Sequence, residues 1–369
     1  HPDGGGYEWK GDWMMAKQKI KLALSSAVTE PYLSELNAFC DITTVGRPAL
    51  KGRKPTEEEL LSQCLGHEIV YISDEVVTAR CIQAWQQSGM KLLGCGRGTP
   101  VNVDWKAIHQ SGIPLVYTPG RNANSVSEFF FGLLIGLVRR IAADAHALRS
   151  GRYLGPAKEN VLVLDPQQDV VWFMPDGSSP MRDFGGGFEL YGRTLGLIGF
   201  GAIGRRVGHT AKEGFGMKVK VYDPYCSAET IENCGCEKVS LAEALSTSDV
   251  VSIHLPVNEE TRGIVDASWF AQMKSTAVFV NTARAAVVDQ KALIDALDEK
   301  RIAGAAMDVM WQEPAPENHP LLHRDNVLIT SHLAGMSCDV DRWQSEMILD
   351  EIQRYAQGQP PLRVWTRTE

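Results

Sequence analysis

The chain has 369 residues, 44% hydrophobic and 22% charged, which is too long for one core and ample for two. Its net charge of −8, with no dense Lys/Arg run, excludes a polyanion-binding class, so no nucleic-acid partner is expected. The longest apolar stretch, Phe129 to Val138, falls far short of the roughly 20 residues that cross a bilayer, and no signal-peptide pattern opens the chain, so no membrane partner is expected.

Residues 1–16 are glycine-rich and aromatic and read as a tag or arm outside the fold. From Ile20 the pattern alternates. Ile20–Leu24 reads as a strand and Tyr32–Phe39 as a short helix, and Thr56 with Glu59 forms a capping box that opens a helix to about Leu65. Ile69–Ile72 is a buried-strand run, Thr78–Gln87 a helix, Lys91–Leu93 a strand, Asp104–Gln110 a helix, and Ile113–Tyr117 is extended. Strict alternation of strand and helix predicts a parallel sheet covered on both faces.

Ser125 and Glu128 read as a second capping box, opening a helix of about 25 residues to Ser150. Phe129, Phe130, Phe131, Leu133, Leu134, Ile135, Leu137 and Val138 make it apolar on almost every side, so it must be buried, against another domain or a second subunit. Pro156–Gly187 interrupts the pattern with turn residues around Val161–Leu164 and Val170–Phe173, a hairpin-like excursion.

Leu195–Ile198 then reads as a strand, running into Gly199-Phe-Gly201-Ala202-Ile203-Gly204 and a helix. Gly199 allows the tight turn, Gly201 lets backbone approach a pyrophosphate, and Gly204 lets helix and strand pack closely; the helix start offers N–H groups to phosphate. A second strand, Lys218–Tyr222, ends in Asp223, which is 19 residues after Gly204. That acid suits a free ribose hydroxyl and repels a 2′-phosphate, so the expected cofactor is NAD rather than NADP. Asp249–Pro256 and Ala277–Arg284 are further strands with polar residues at their carboxyl ends, where open α/β sheets bind ligands. The eight cysteines lack metal-ligand spacing and only Cys234 and Cys236 are close, so no metal is expected; reduced thiols point to the cytoplasm.

From about Lys91 to Gly335 the chain resembles the D-isomer-specific 2-hydroxyacid dehydrogenases. The resemblance rests on Gly199–Gly204 with Asp223, His254-Leu-Pro256, Asn281-Thr-Ala-Arg284, Ala306-Met-Asp308 with Glu313-Pro, and Ser331-His332-Leu-Ala-Gly335, in the family's order. It implies a fold of two doubly wound parallel-sheet α/β domains. A Rossmann NAD-binding domain, residues 119–335, would be inserted in a flavodoxin-like substrate domain, residues 17–118 plus 336–369. It implies that Arg284 binds the substrate carboxylate, that His332 is the acid/base and that Glu313 orients it. It places Thr282, Ala283 and Asp308 at the cofactor, with His254 and Pro256 structural beside it, and Arg97, Gly98 and Thr99 in the substrate loop. It also implies a small 2-hydroxy or 2-keto acid as substrate, while the apolar helix region 125–150 points to a homodimer formed through it. Three departures stand out: the Cys95-Gly-Arg97-Gly98 loop, Ala285 where the family commonly has glycine, and the 156–187 excursion. A formate dehydrogenase-like enzyme and a non-enzymatic NAD-sensing corepressor or scaffold are the alternatives. The former branch carries glutamine where Glu313 stands.

Overall fold

The computed structural model describes residues 19–154, 174 and 176–366. The chain divides into two units, residues 1–122 with 337–369, and residues 123–336.

In the first unit, strands β1 (Ile20–Leu24), β2 (Cys40–Thr44), β3 (Ile69–Ile72), β4 (Leu92–Cys95) and β5 (Leu115–Tyr117) form a parallel sheet in the order β2-β1-β3-β4-β5. This is a doubly wound order, and the side-chain alternation shows why both faces need cover. Ala23, Val70, Ile72 and Leu93 enter one core with Trp85, whereas Leu22, Ile69, Tyr71 and Leu92 enter another with Ile348 and Ile352 of the C-terminal helix Cys338–Ala356. Gly94 is needed in β4 because a Cβ there would lie 2.1 Å from the Tyr71 ring. Helix α1 (Glu57–Cys64) starts at the expected capping box: Glu59 N donates to Thr56 Oγ1 (3.3 Å) and Thr56 N donates to Glu59 Oε2 (2.8 Å). The edge strand β2 escaped the sequence reading, because Cys40-Asp-Ile-Thr-Thr is short and largely exposed.

In the second unit, β6 (Thr194–Ile198), β7 (Lys218–Tyr222), β8 (Glu237–Lys238), β9 (Val250–Ile253), β10 (Val278–Asn281), β11 (Gly304–Met307) and β12 (Val327–Ile329) form a seven-stranded sheet in the order β12-β11-β10-β9-β6-β7-β8. Every pairing in it is parallel. The order in which strands are added reverses between β6 and β9, which makes their carboxyl ends the switch point where such sheets take ligands. The fold class is therefore as expected: two parallel-sheet α/β units, the second with Rossmann order.

The long apolar helix differs from expectation. It begins at Ala123, and the Ser125 hydroxyl donates to Ala334 O (2.8 Å) instead of capping. It also breaks in two, α2 (Ala123–Val138) and α3 (Ile141–Arg149), at Arg140, which has φ +53° and whose Nη1 donates to Asp183 O. Phe130, Phe131, Leu133, Leu134 and Val138 of α2 pack on Leu195, Leu197, Val278 and Val280, so most of its apolar surface is spent inside its own unit. The two expected apolar pieces of the excursion, 161–164 and 170–173, lie outside the described residues; after them comes a short helix, Pro180–Phe184, that its sequence did not announce.

Candidate active site

At the end of β6 the backbone turns sharply at Gly199, which has φ +98°. A Cβ there would lie 2.7 Å from His254 O, and one on Gly204 would lie 2.4 Å from Gly199 O, so the protein's own packing demands both glycines. Around Gly201 a Cβ would meet nothing within 4 Å. This third glycine leaves open space at the start of helix α4 (Ala202–Phe215), whose Gly201 cap has no side chain to satisfy the first N–H groups. Such a cradle fits a pyrophosphate.

Asp223 at the end of β7 does more than the motif implies. Its Oδ2 accepts from Phe200 N (2.7 Å), in the middle of the glycine turn, and its Oδ1 accepts from Tyr225 N (2.8 Å) and Cys226 N (3.0 Å). The carboxylate holds the turn and keeps one Oδ2 lone pair for a ribose hydroxyl. Across the switch point, His254 accepts from or donates to Ser252 Oγ through Nε2 (2.9 Å), and burial pushes its pKa down to about 4. A ring that stays neutral at ordinary pH packs well and is a poor acid/base.

The turn after β10 carries Thr282, Ala283 and Arg284. Buried Asn281 ties it together: Ala283 N donates to Asn281 Oδ1 (2.9 Å) and Asn281 Nδ2 donates to Arg284 O (2.9 Å). Thr282 is only 6% exposed, and its hydroxyl has no hydrogen-bond partner among the described residues. A buried orphan costs on the order of 1–3 kcal/mol unless something else satisfies it, which a bound cofactor would do. The Arg284 side chain is exposed and, among the described residues, makes one bond, Nη1 to Ala283 O (2.7 Å), which leaves most of its donor fork for a ligand.

Glu313 and His332 meet although 19 positions apart: His332 Nδ1 and Glu313 Oε2 are 2.8 Å apart, each side chain about four-tenths exposed. Glu313 Oε1 accepts from Met310 N (3.0 Å). Burial raises the carboxyl's pKa, but the bonds from His332 and Met310 N and the charges of His332 and Arg284 outweigh it, so the group lies below the usual glutamate range. His332 sits at φ +61°, uncommon for a residue with a side chain. Asp308, 1% exposed, supplies the reason. Its Oδ1 accepts from Thr330 Oγ1 (2.5 Å) and Leu333 N (2.9 Å), and its Oδ2 from Ala334 N (2.7 Å). Asp308 thus clamps the loop on either side of His332.

Arg284, Glu313 and His332 line one cavity of about 340 Å³, together with Arg262, Met310 and Trp311. The geometry offers a cationic fork for a carboxylate, an imidazole–carboxylate pair for moving a proton, and an apolar wall. The sequence motifs include Asn281 without a role and leave out Arg262 and Trp311; only Asn281, an amide ending an apolar strand just before Arg284, carries a local signal. Pro256 is exposed and its carbonyl accepts from Thr261 Oγ1 (2.6 Å). Arg97, Gly98 and Thr99 belong to the first unit, after β4: Arg97 is half-buried with its carbonyl accepting from Thr118 N (3.1 Å), and Gly98 and Thr99 are exposed.

Residues 131–334 match the family described as D-isomer specific 2-hydroxyacid dehydrogenase, NAD binding domain. The chain is similar to a glyoxylate reductase of Korarchaeum cryptofilum, 36% identical over 260 residues, 70% of this chain and 71% of that protein. It is also similar to a glyoxylate reductase of Thermofilum pendens, 31% identical over 352 residues, 94% of each. Among solved structures, the apo D-mandelate dehydrogenase of Rhodotorula graminis shares the fold, with a TM-score of 0.77 at 23% identity, covering 95% of this chain and 99% of that one.

Proposed function

The chain belongs to the D-isomer-specific 2-hydroxyacid dehydrogenases, and on that premise we propose that Arg284, Glu313 and His332 interconvert a D-2-hydroxyacid and its 2-keto acid. The protein is an NAD-dependent oxidoreductase of this family. NAD, when bound, would supply the hydride acceptor for oxidation at C2, and its reduced form the donor for the reverse. The glycine turn, Asp223 and Thr282 fit it, Ala202 and Ile203 open the helix there, and Ala283 and Asp308 would help hold the nicotinamide.

Arg284 pairs with the C1 carboxylate and draws electron density from the C2 oxygen. His332 removes the hydroxyl proton during oxidation and restores it during reduction. Glu313 holds the imidazole by Nδ1, which leaves Nε2 for substrate and offsets the imidazolium charge. One observation carries this reading: the guanidinium and the 2.8 Å imidazole–carboxylate pair share a single cavity. The test is NADH absorbance with a panel of C3 to C6 2-keto acids, phosphorylated and not. Turnover with at least one supports the reading. None with any would leave the NAD-sensing scaffold as the function.

The finer assignments stand on the same footing. We take the unit of residues 17–118 and 336–369 as the substrate domain and 119–335 as the cofactor domain. Arg97, Gly98 and Thr99 contact substrate, so R97A raises KM. Asp223 selects NAD over NADP. A homodimer forms through the 125–150 region, which ultracentrifugation checks. Residence in a reducing cytoplasm is supported by eight free cysteines, of which Cys40 and Cys95 have burial-raised pKa values of about 12.

A further inference from the structure

We infer that the substrate carries a second anionic group, a carboxylate or phosphate ester remote from C1, and that Arg262 recognises it. The inference rests on the dehydrogenase reading above and narrows its substrate class.

Arg262 lines the same cavity as Arg284, Glu313 and His332. Its guanidinium forms no ion pair or side-chain hydrogen bond with the described residues, whereas its backbone is firmly held. Arg262 N donates to Asn258 O (3.1 Å), and Asn258 Oδ1 accepts from Glu260 N (3.1 Å) and Thr261 N (2.8 Å). The Thr261 hydroxyl donates to Pro256 O (2.6 Å). On the other side Gly263 N donates to Ala286 O (2.9 Å), two residues beyond Arg284. Two arginines are thereby fixed on neighbouring backbone segments around one space, at a cost in mutual repulsion that an anion relieves.

Charge balance decides between one anionic group and two. Among the described residues the only carboxylate lining the cavity is Glu313, already engaged with His332 and Met310 N. In reduction His332 must enter protonated, so Arg262, Arg284 and His332 face Glu313 with a surplus of two positive charges. A monocarboxylate leaves one of them uncompensated in a partly enclosed space; a dianion leaves none. Arg284 is taken by C1, so Arg262 receives the second group, with Val257, Met310 and Trp311 offering apolar surface to the carbon chain between.

The experiment measures NADH-dependent kcat/KM for glyoxylate and pyruvate, for oxaloacetate and 2-oxoglutarate, and for 3-phosphohydroxypyruvate, in wild type, R262Q and R262K. Wild type prefers one dianionic class, and R262Q lowers the dianion-to-monoanion ratio by about tenfold or more, as loss of a charge-assisted bond does. R262K restores part of it, and NADH affinity, read by fluorescence titration, stays put. Which dianion loses most tells a carboxylate from a phosphate. An equal loss on all substrates, or weakened NADH binding, overturns the inference. Because the monoanionic acids are assayed alongside, an enzyme that reduces them with unchanged selectivity in R262Q sinks this inference alone; no turnover of any acid sinks the dehydrogenase reading.

Discussion

The turn after β6 and the loops after β10, β11 and β12 lie at the carboxyl ends of one sheet, yet they are built differently. The first is contiguous: clashes that a Cβ would create fix Gly199 and Gly204, open space surrounds Gly201, and Asp223 ties the turn down through Phe200 N. The second is assembled from pieces: Arg284 from one turn, Glu313 from a loop, His332 from another, the first and last held by buried polar residues and Glu313 by Met310 N. Asn281 holds the first and Asp308 the last. A cofactor cradle can be written in six letters, whereas a proton-transfer pair depends on sheet order to bring its halves together.

The largest effect separates the two regions outright. R284A lowers kcat/KM for the 2-keto acid on the order of 10³-fold, since a carboxylate anchor that also polarises the carbonyl acts mainly in the transition state, while NADH affinity moves little. Steady-state kinetics beside fluorescence titration check this; a comparable loss of NADH binding would merge the regions.

Next comes the clamp. D308N leaves an amide that cannot accept from Thr330, Leu333 and Ala334 as the carboxylate does, and lowers unfolding free energy by about 2–4 kcal/mol in urea. An unchanged midpoint would mean that the positive φ of His332 has another support.

The cofactor side responds more gently. D223S removes the charge that opposes a 2′-phosphate and shifts the NAD-to-NADP ratio of kcat/KM about tenfold toward NADP. An unaltered ratio would limit Asp223 to its three backbone bonds.

A pH-dependent effect concerns His254. Its folded pKa of about 4 lies below the unfolded value of roughly 6.5, so between them the unfolded chain binds the extra proton and stability falls as pH falls. H254Q removes that contribution, about 3 kcal/mol over the window, and leaves the pH profile of turnover in place. A displaced profile would make this ring, rather than His332, the titrating acid/base.

The same contrast explains how much could be read beforehand. Local rules sufficed where structure is local: the Thr56–Glu59 capping box, the buried runs at 22–24 and 69–72, the glycine turn and Asp223. They failed where a partner far along the chain decides. Ser125 looks like a cap until Ala334 O claims its hydroxyl, and the apolar helix looks continuous until Arg140 bends out toward Asp183. Arg284, Glu313 and His332 were assigned by family resemblance, since nothing in Glu313-Pro or Ser331-His332 alone betrays a proton-transfer pair. Asp308 illustrates the remainder: resemblance placed it at the nicotinamide, and its three bonds to the His332 loop became visible only with the fold.

Coupling between Glu313 and His332 is read most directly from the pH profile of keto-acid reduction in wild type and E313Q. Reduction requires the imidazolium, whose charge the carboxylate offsets, so E313Q should lose rate on the alkaline limb first and keep most of it at the acid end. A limb that stays in place while the maximal rate falls would show that the 2.8 Å contact does not govern the proton, and the proposed acid/base pair would be wrong.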